Sequence, residues 1–166
     1  MEKVKKDSEL ELIVWLTGQP GSGKTTLAKR FIEDKLIGFM KIQPVRIVHI
    51  DGDDLREIVD NKDYSEEGRR ENIKLAMNIA RFLDNKGYTV IVSMVSPYRD
   101  QREELKKERN VVELYLHTTE IRGKEKYFVD NYESPVDNFI DIDTDKPIEE
   151  CVNEILSIYR KMAAIS

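Results

Sequence analysis

The run Gly18-Gln-Pro-Gly-Ser-Gly-Lys-Thr25 constrains this chain more than any other part of it. It follows the apolar segment Leu12 to Leu16, which is too short for a helix and suits a buried strand. It precedes Thr25 to Ile37, where Leu27, Ala28, Phe31, Ile32 and Leu36 recur at helical spacing. Strand, glycine-rich turn and helix aim several backbone N–H groups and the positive end of a helix at one anion. Gly18, Gly21 and Gly23 permit the turn, Lys24 reaches the β- and γ-phosphates, and the Thr25 hydroxyl ligates Mg²⁺. The motif predicts a site for a nucleoside triphosphate with Mg²⁺. Alone it leaves a kinase, a GTPase, an ATPase and a regulatory switch open.

Beyond it, strand-like and helix-like segments alternate. Val45 to Ile50, Tyr88 to Val95, Val111 to Leu116 and Phe139 to Ile142 read as strands. Ser65 to Lys86, Tyr98 to Arg109 and Pro147 to Met162 read as helices, the middle one a solvated surface helix. Segment 88–95 is apolar on both faces, as buried parallel strands are. The alternation predicts an α/β fold of the P-loop NTPase type, a parallel sheet with helices on both faces in three layers. One domain is expected over residues 11–166, behind a charged arm at 1–10. Residues 118–138 fit neither class; they are basic early, acidic late, and hold Tyr127, Phe128 and Tyr132.

Composition narrows the partners. A 40% hydrophobic content supports a core. The uncharged run Gly87 to Tyr98 falls short of the roughly 20 residues that span a bilayer, and Met1 to Glu11 carries no apolar stretch of a secretory signal. Membrane association is therefore not expected. The single cysteine, Cys151, fits a reducing, cytoplasmic compartment and reads as a core residue of the last helix. A net charge of −5 argues against a nucleic-acid partner.

The second strand runs into His49-Ile-Asp51-Gly-Asp53-Asp54-Leu-Arg56. Asp51 and Asp53, two apart in an extended segment, point the same way, and Gly52 lets another group approach the backbone. Beside a phosphate loop, such carboxylates position Mg²⁺ or accept a hydroxyl proton, and Arg56 binds an acceptor's phosphate. The alternative is an acidic helix cap formed by Asp53 or Asp54. Strand 88–95 ends in Val95-Ser96-Pro97 without an aspartate, which favours Asp51 and Asp53 for the acidic role and argues against a motor ATPase. Asn61-Lys62-Asp63 is one residue short of a guanine-specificity motif.

In order along the chain, these residues resemble the adenylylsulfate (APS) kinase family. Leu16 to Ala28 is similar to its phosphate loop, with Gln19-Pro20 a small departure. Asp51-Gly-Asp53-Asp54-Leu-Arg56 resembles its DGDN-x-R motif, and Tyr64 to Ile73 its FSxxDRxENI stretch, with Gly68 in place of aspartate. Ser96-Pro97-Tyr98-Arg99, Tyr132-Glu-Ser-Pro135 and Ile142-Asp-Thr144 resemble its ISPYR, YEAP and LDT landmarks. The resemblance implies MgATP-dependent phosphorylation of the 3′-hydroxyl of a small nucleotide, adenylylsulfate first, often by a homodimer. It implies that Gly21, Ser22, Gly23, Lys24, Thr25 and Thr26 hold ATP phosphates and that Asp51 and Asp53 flank the metal and the attacking hydroxyl. Arg56, Arg69, Asn72, Pro97 and Tyr98 would surround the acceptor, with Tyr64 stacked on its base. Ser96 matches a serine associated with a phosphoserine intermediate, although in-line transfer needs only positioning and charge neutralisation.

The chain departs from that pattern between His117 and Tyr132, where the family has a longer, basic lid and a second aromatic that stacks on adenine. Arg122, Lys124 and Lys126 are the candidates for the lid's electrostatic role. With one stacking face, the expectation is weak discrimination in favour of adenine. Cytidine diphosphoramidate, the acceptor of a similar kinase in capsule pathways, is then the second substrate. A non-enzymatic nucleotide sensor would need no acceptor residues, and a nucleic-acid kinase would need a basic channel.

Overall fold

A computed structural model describes residues 12–36 and 46–164. The expected arm at 1–10, and the expected element ends at Ile37 and Val45, lie outside the described residues. The chain forms β1 (Ile13–Thr17), α1 (Lys24–Arg30) with a π-helical continuation over Phe31–Leu36, β2 (Ile47–Asp51) and α2 (Gly52–Ile58). It continues through α3 (Glu66–Asp84), β3 (Thr89–Ser93), α4 (Arg99–Glu108), β4 (Val111–His117), β5 (Phe139–Asp143) and α5 (Ile148–Ala164). Among the described residues, no helix is long and apolar enough to cross a membrane.

The five strands are all parallel, in the order β2-β3-β1-β4-β5. Every residue of β1 is buried, because it is the central strand and both faces are covered. Alternation along it feeds two cores. Leu12, Val14 and Leu16 pack with Leu27, Phe31, Val152 and Tyr159 from α1, its continuation and α5. Ile13 and Trp15 pack on the other face with Leu55, Ile73, Met77 and Leu105 from α2, α3 and α4. These are the three expected layers. The chain leaves β1 toward β2 on one side and reaches β4 on the other. Such a reversal opens a crevice at the carboxyl ends of the strands.

Two local expectations change. Asp51, not Asp53 or Asp54, caps α2; its backbone is extended (φ −100°, ψ 136°) and its carboxylate accepts from Asp53 N at 3.0 Å. Asp53 is therefore helical, so strand alternation does not set its direction. Helix α4 is not merely solvated, because Arg102 and Leu105 are buried. Arg102 Nε meets Glu113 Oε1 at 2.7 Å, and Lys106 Nζ meets Glu113 Oε2 at 2.6 Å. The same guanidinium donates to Ser96 O and to Glu133 O, both at 2.5 Å. It ties the loop after β3 to the chain returning from 118–131.

Candidate active site

Glycine at 18 is a packing requirement. A Cβ there would lie 2.3 Å from Leu116 O, so a side chain would separate β1's exit from β4. Beyond it the loop folds around Lys24, whose ammonium is buried and donates to Gln19 O at 2.8 Å and Ser22 Oγ at 3.3 Å. Burial lowers its pKa to about 8, against the pull of the Asp53 and Asp51 carboxylates. Ser22 is itself buried, and its carbonyl accepts from Thr144 Oγ1 at 3.0 Å.

Asp51 closes β2 in register with Ser93, the last residue of β3. Its Oδ2 accepts from Thr25 Oγ1 at 2.6 Å and from Ser93 Oγ at 2.8 Å. Burial would raise this carboxyl, but the hydrogen bonds from Thr25, Ser93 and two backbone N–H groups outweigh it and lower the pKa. His49 Nε2 lies 2.8 Å from Ser93 Oγ. The single hydroxyl proton of Ser93 goes to Asp51, so His49 must donate through its Nε2–H. Sequence reading gave neither Ser93 nor His49 a role; the only signal was that two strand ends would be paired. The group that approaches Gly52 is Met94, 2.7 Å from a Cβ built there.

Thr25 and Asp51 supply a hydroxyl and a carboxylate side by side, hard oxygen donors that suit Mg²⁺ when phosphates and waters complete the shell. Among the described residues no group of three or more His, Cys, Asp or Glu could hold a metal without such help.

A cleft of about 830 Å³ opens over these groups. Its floor is Gly21, Gly23, Lys24, Thr25, Thr26, Asp51 and Asp53. Arg56, Tyr64, Arg69, Asn72 and Pro97 also line it. So do Lys124, Lys126, Tyr127, Phe128 and Val129, from the stretch expected to be a short lid. Arg56 is held by Asn61 O at 3.2 Å and Asp63 O at 2.8 Å, with its guanidinium 4.3 Å over the Tyr64 ring. Asn72 is buried and donates to Gly52 O at 3.2 Å, while its Oδ1 has no partner.

Several expected residues stand elsewhere. Gly18, Ser22, Tyr98 and Arg122 do not line the cleft. Tyr98 is buried in the α3–α4 core beneath the Arg70 guanidinium, 4.1 Å from its ring. Arg122 donates to Gly21 O at 3.3 Å, Thr144 O at 2.7 Å and Glu120 at 2.8 Å, which makes it a strut and not a free lid cation. Ser96 reaches the cleft wall, but its hydroxyl is turned into the core. It accepts from Trp15 Nε1 at 2.9 Å and donates to Thr17 Oγ1 at 3.1 Å. Its φ of 38° lies in the left-handed region. A second aromatic lies within the same cleft as the expected single stacking face, since Tyr127 and Phe128 share the cleft with Tyr64. Tyr132 does not, being bonded to Thr17 Oγ1 at 2.8 Å and stacked on Tyr115.

Comparison with known proteins finds a family match. Residues 10–144 match the family described as Adenylylsulphate kinase. The chain is 31% identical over 147 residues to the cytidine diphosphoramidate kinase of Campylobacter jejuni, covering 84% of each. It is 32% identical over 157 residues to a probable adenylyl-sulfate kinase of Archaeoglobus fulgidus, covering 82% of this chain and 98% of that one. In fold it is similar to the APS kinase CysC of Mycobacterium tuberculosis, solved with AMPPNP and APS. The TM-score is 0.72 at 23% identity, over 89% of this chain and 96% of that one.

Proposed function

The chain belongs to the adenylylsulfate kinase family, and we propose that it phosphorylates the 3′-hydroxyl of a small nucleotide, adenylylsulfate in the first reading. It is a phosphotransferase that uses ATP and acts on a hydroxyl group. One observation carries the proposal: a single cleft joins the phosphate loop to the Arg56, Tyr64, Arg69 and Asn72 wall. A nucleotide sensor would need only the first half.

In this reading the loop backbone from Gly21 to Thr26, with Lys24, holds the triphosphate. Thr25 and Asp51 would hold Mg²⁺, which would supply charge that neutralises the phosphates. Asp53 is exposed, and its carboxylate has no hydrogen-bond partner among the described residues, so it is the freer base. It accepts the 3′-hydroxyl proton while the ribose oxygen forms its bond to the γ-phosphorus. The bond from that phosphorus to the β-γ bridging oxygen breaks and ADP leaves. Lys24, Lys124 and Lys126 face the charge that spreads over the transferring group. Arg69, whose guanidinium has no hydrogen-bond partner among the described residues, grips the acceptor's anionic group.

The second reading takes cytidine diphosphoramidate as acceptor. The Campylobacter relative and the short 118–138 stretch both favour it. The deciding experiment measures ADP release with MgATP against adenylylsulfate, cytidine diphosphoramidate and plain nucleoside diphosphates, then locates the new phosphate. Release that needs a nucleotide acceptor and yields a 3′-phosphate supports the reading. Release that ignores every acceptor overturns it.

A further inference from the structure

The short lid is tied to the phosphate loop at both ends. At its start, Arg122 donates to Gly21 O, and the Lys124 side chain rests against Gly21 with 3.0 Å to a Cβ built there. At its end, the Gln19 side chain pairs with Val129 as one strand residue pairs with another. Gln19 Nε2 donates to Val129 O at 2.9 Å, and Val129 N donates to Gln19 Oε1 at 2.9 Å. Both partners are backbone groups of fixed polarity, so the orientation of this amide is not ambiguous. Val129 is buried, while Lys124, Lys126, Tyr127 and Phe128 between the two ties are exposed toward the cleft. Gln19 O meanwhile accepts from Lys24 Nζ, so one residue touches both the phosphate-binding cation and the roof above it.

We propose that Gln19 is a positioning residue that latches residues 124–129 over the phosphate loop. The exposure of the strap explains why a latch is needed. Residues 124–128 are all exposed, so the strap contributes little packing of its own and is fixed from below. The latch holds Lys124 and Lys126 on the cleft wall, so their charge is in place without a disorder-to-order step. This rests on the reading of the cleft as a phosphoryl-transfer site, but the contact can be tested without it.

The test follows hydrogen exchange of the Val129 and Tyr127 amides in the protein without nucleotide, beside thermal melting and steady-state kinetics. Native protein should protect Val129 N–H in the absence of ATP. Gln19→Met keeps the length of the side chain and removes both hydrogen bonds, so Val129 should exchange at least about tenfold faster with little change in melting temperature. Gln19→Glu retains the acceptor for Val129 N–H and should fall between the two. With the acceptor identified, Gln19→Met should lower kcat about tenfold while KM for ATP moves far less, which a loss of general stability would not produce. Fast exchange of Val129 in the native protein, or exchange unaltered by Gln19→Met, overturns the latch even if the kinase activity stands. A protected Val129 that Gln19→Met releases, in a protein that phosphorylates no nucleotide, supports the latch and removes the proposed function instead.

Discussion

Ser93 Oγ donates to Asp51 Oδ2 at 2.8 Å because the two residues end adjacent parallel strands in the same register. A hydroxyl therefore stands at the end of β3, and it supports a carboxylate on the neighbouring strand. Hydrogen bonds to a charged group contribute about 1.5–3 kcal/mol. Ser93→Ala should raise the Asp51 pKa and lower kcat about tenfold, with a smaller effect on ATP affinity. Asp51→Asn should be far more damaging. Steady-state kinetics with both variants checks this, and equal activity of Ser93→Ala and native protein would separate the contact from function.

Lys24 gives the site a pH signature. Its folded pKa is about 8, below the 10.5 of the unfolded chain. Between those values the unfolded chain holds a proton that the folded one has lost. Stability of the nucleotide-free protein should thus rise as pH climbs through that window, and below about 8 the full penalty of burying the charge applies. Phosphate binding needs the charged form, so nucleotide affinity should fall as pH rises through about 8. Denaturant melts and ADP titrations between pH 7 and 10 read the two opposite trends, and Lys24→Met should flatten both. The same variant should abolish turnover while it keeps the fold.

Ser96 is the sharpest test of direct transfer. Its hydroxyl is engaged with Trp15 and Thr17 and is not presented to the cleft. Ser96→Ala should lose stability by about 1–3 kcal/mol, because Trp15 Nε1 is left buried without an acceptor. Turnover should stay within about tenfold of native. A loss of several orders of magnitude with an intact fold would instead demand a covalent role. Mass spectrometry of the enzyme during turnover should find no phosphoserine at this position.

What the sequence revealed was local. The glycine spacing of the loop, the apolar strands and the periodicity of α3 all lie within short windows, so the α/β order and the phosphate loop were readable. What it concealed depended on strands and loops distant in sequence. Ser93 meets Asp51 only through strand register. Glu113 interrupts an apolar strand and could have warned that α4 carries a buried partner, yet only packing identifies Arg102. Tyr98 reads as a site residue from its place in an ordered motif and Arg122 from its charge in the short lid, and both are used to hold the framework. Gln19 passed as a minor departure because its partner, Val129, is far along the chain.

The shortened stretch after β4 predicted a one-sided base clamp, but Tyr127 and Phe128 line the same cleft as Tyr64. If a base stacks between them, removing either face should forfeit about 1–3 kcal/mol, or roughly 5- to 150-fold in acceptor binding. Tyr64→Ala and Phe128→Ala should each raise the acceptor KM within that range and leave the KM for ATP nearly unchanged. Arg69→Ala should weaken every acceptor alike, since its charge meets the anionic group and not the base. Specificity constants for adenylylsulfate and cytidine diphosphoramidate, measured on all three variants, separate the two contributions. A Phe128→Ala or Tyr127→Ala enzyme with native acceptor kinetics would return the site to a single stacking face, and with it the expectation of weak preference for adenine.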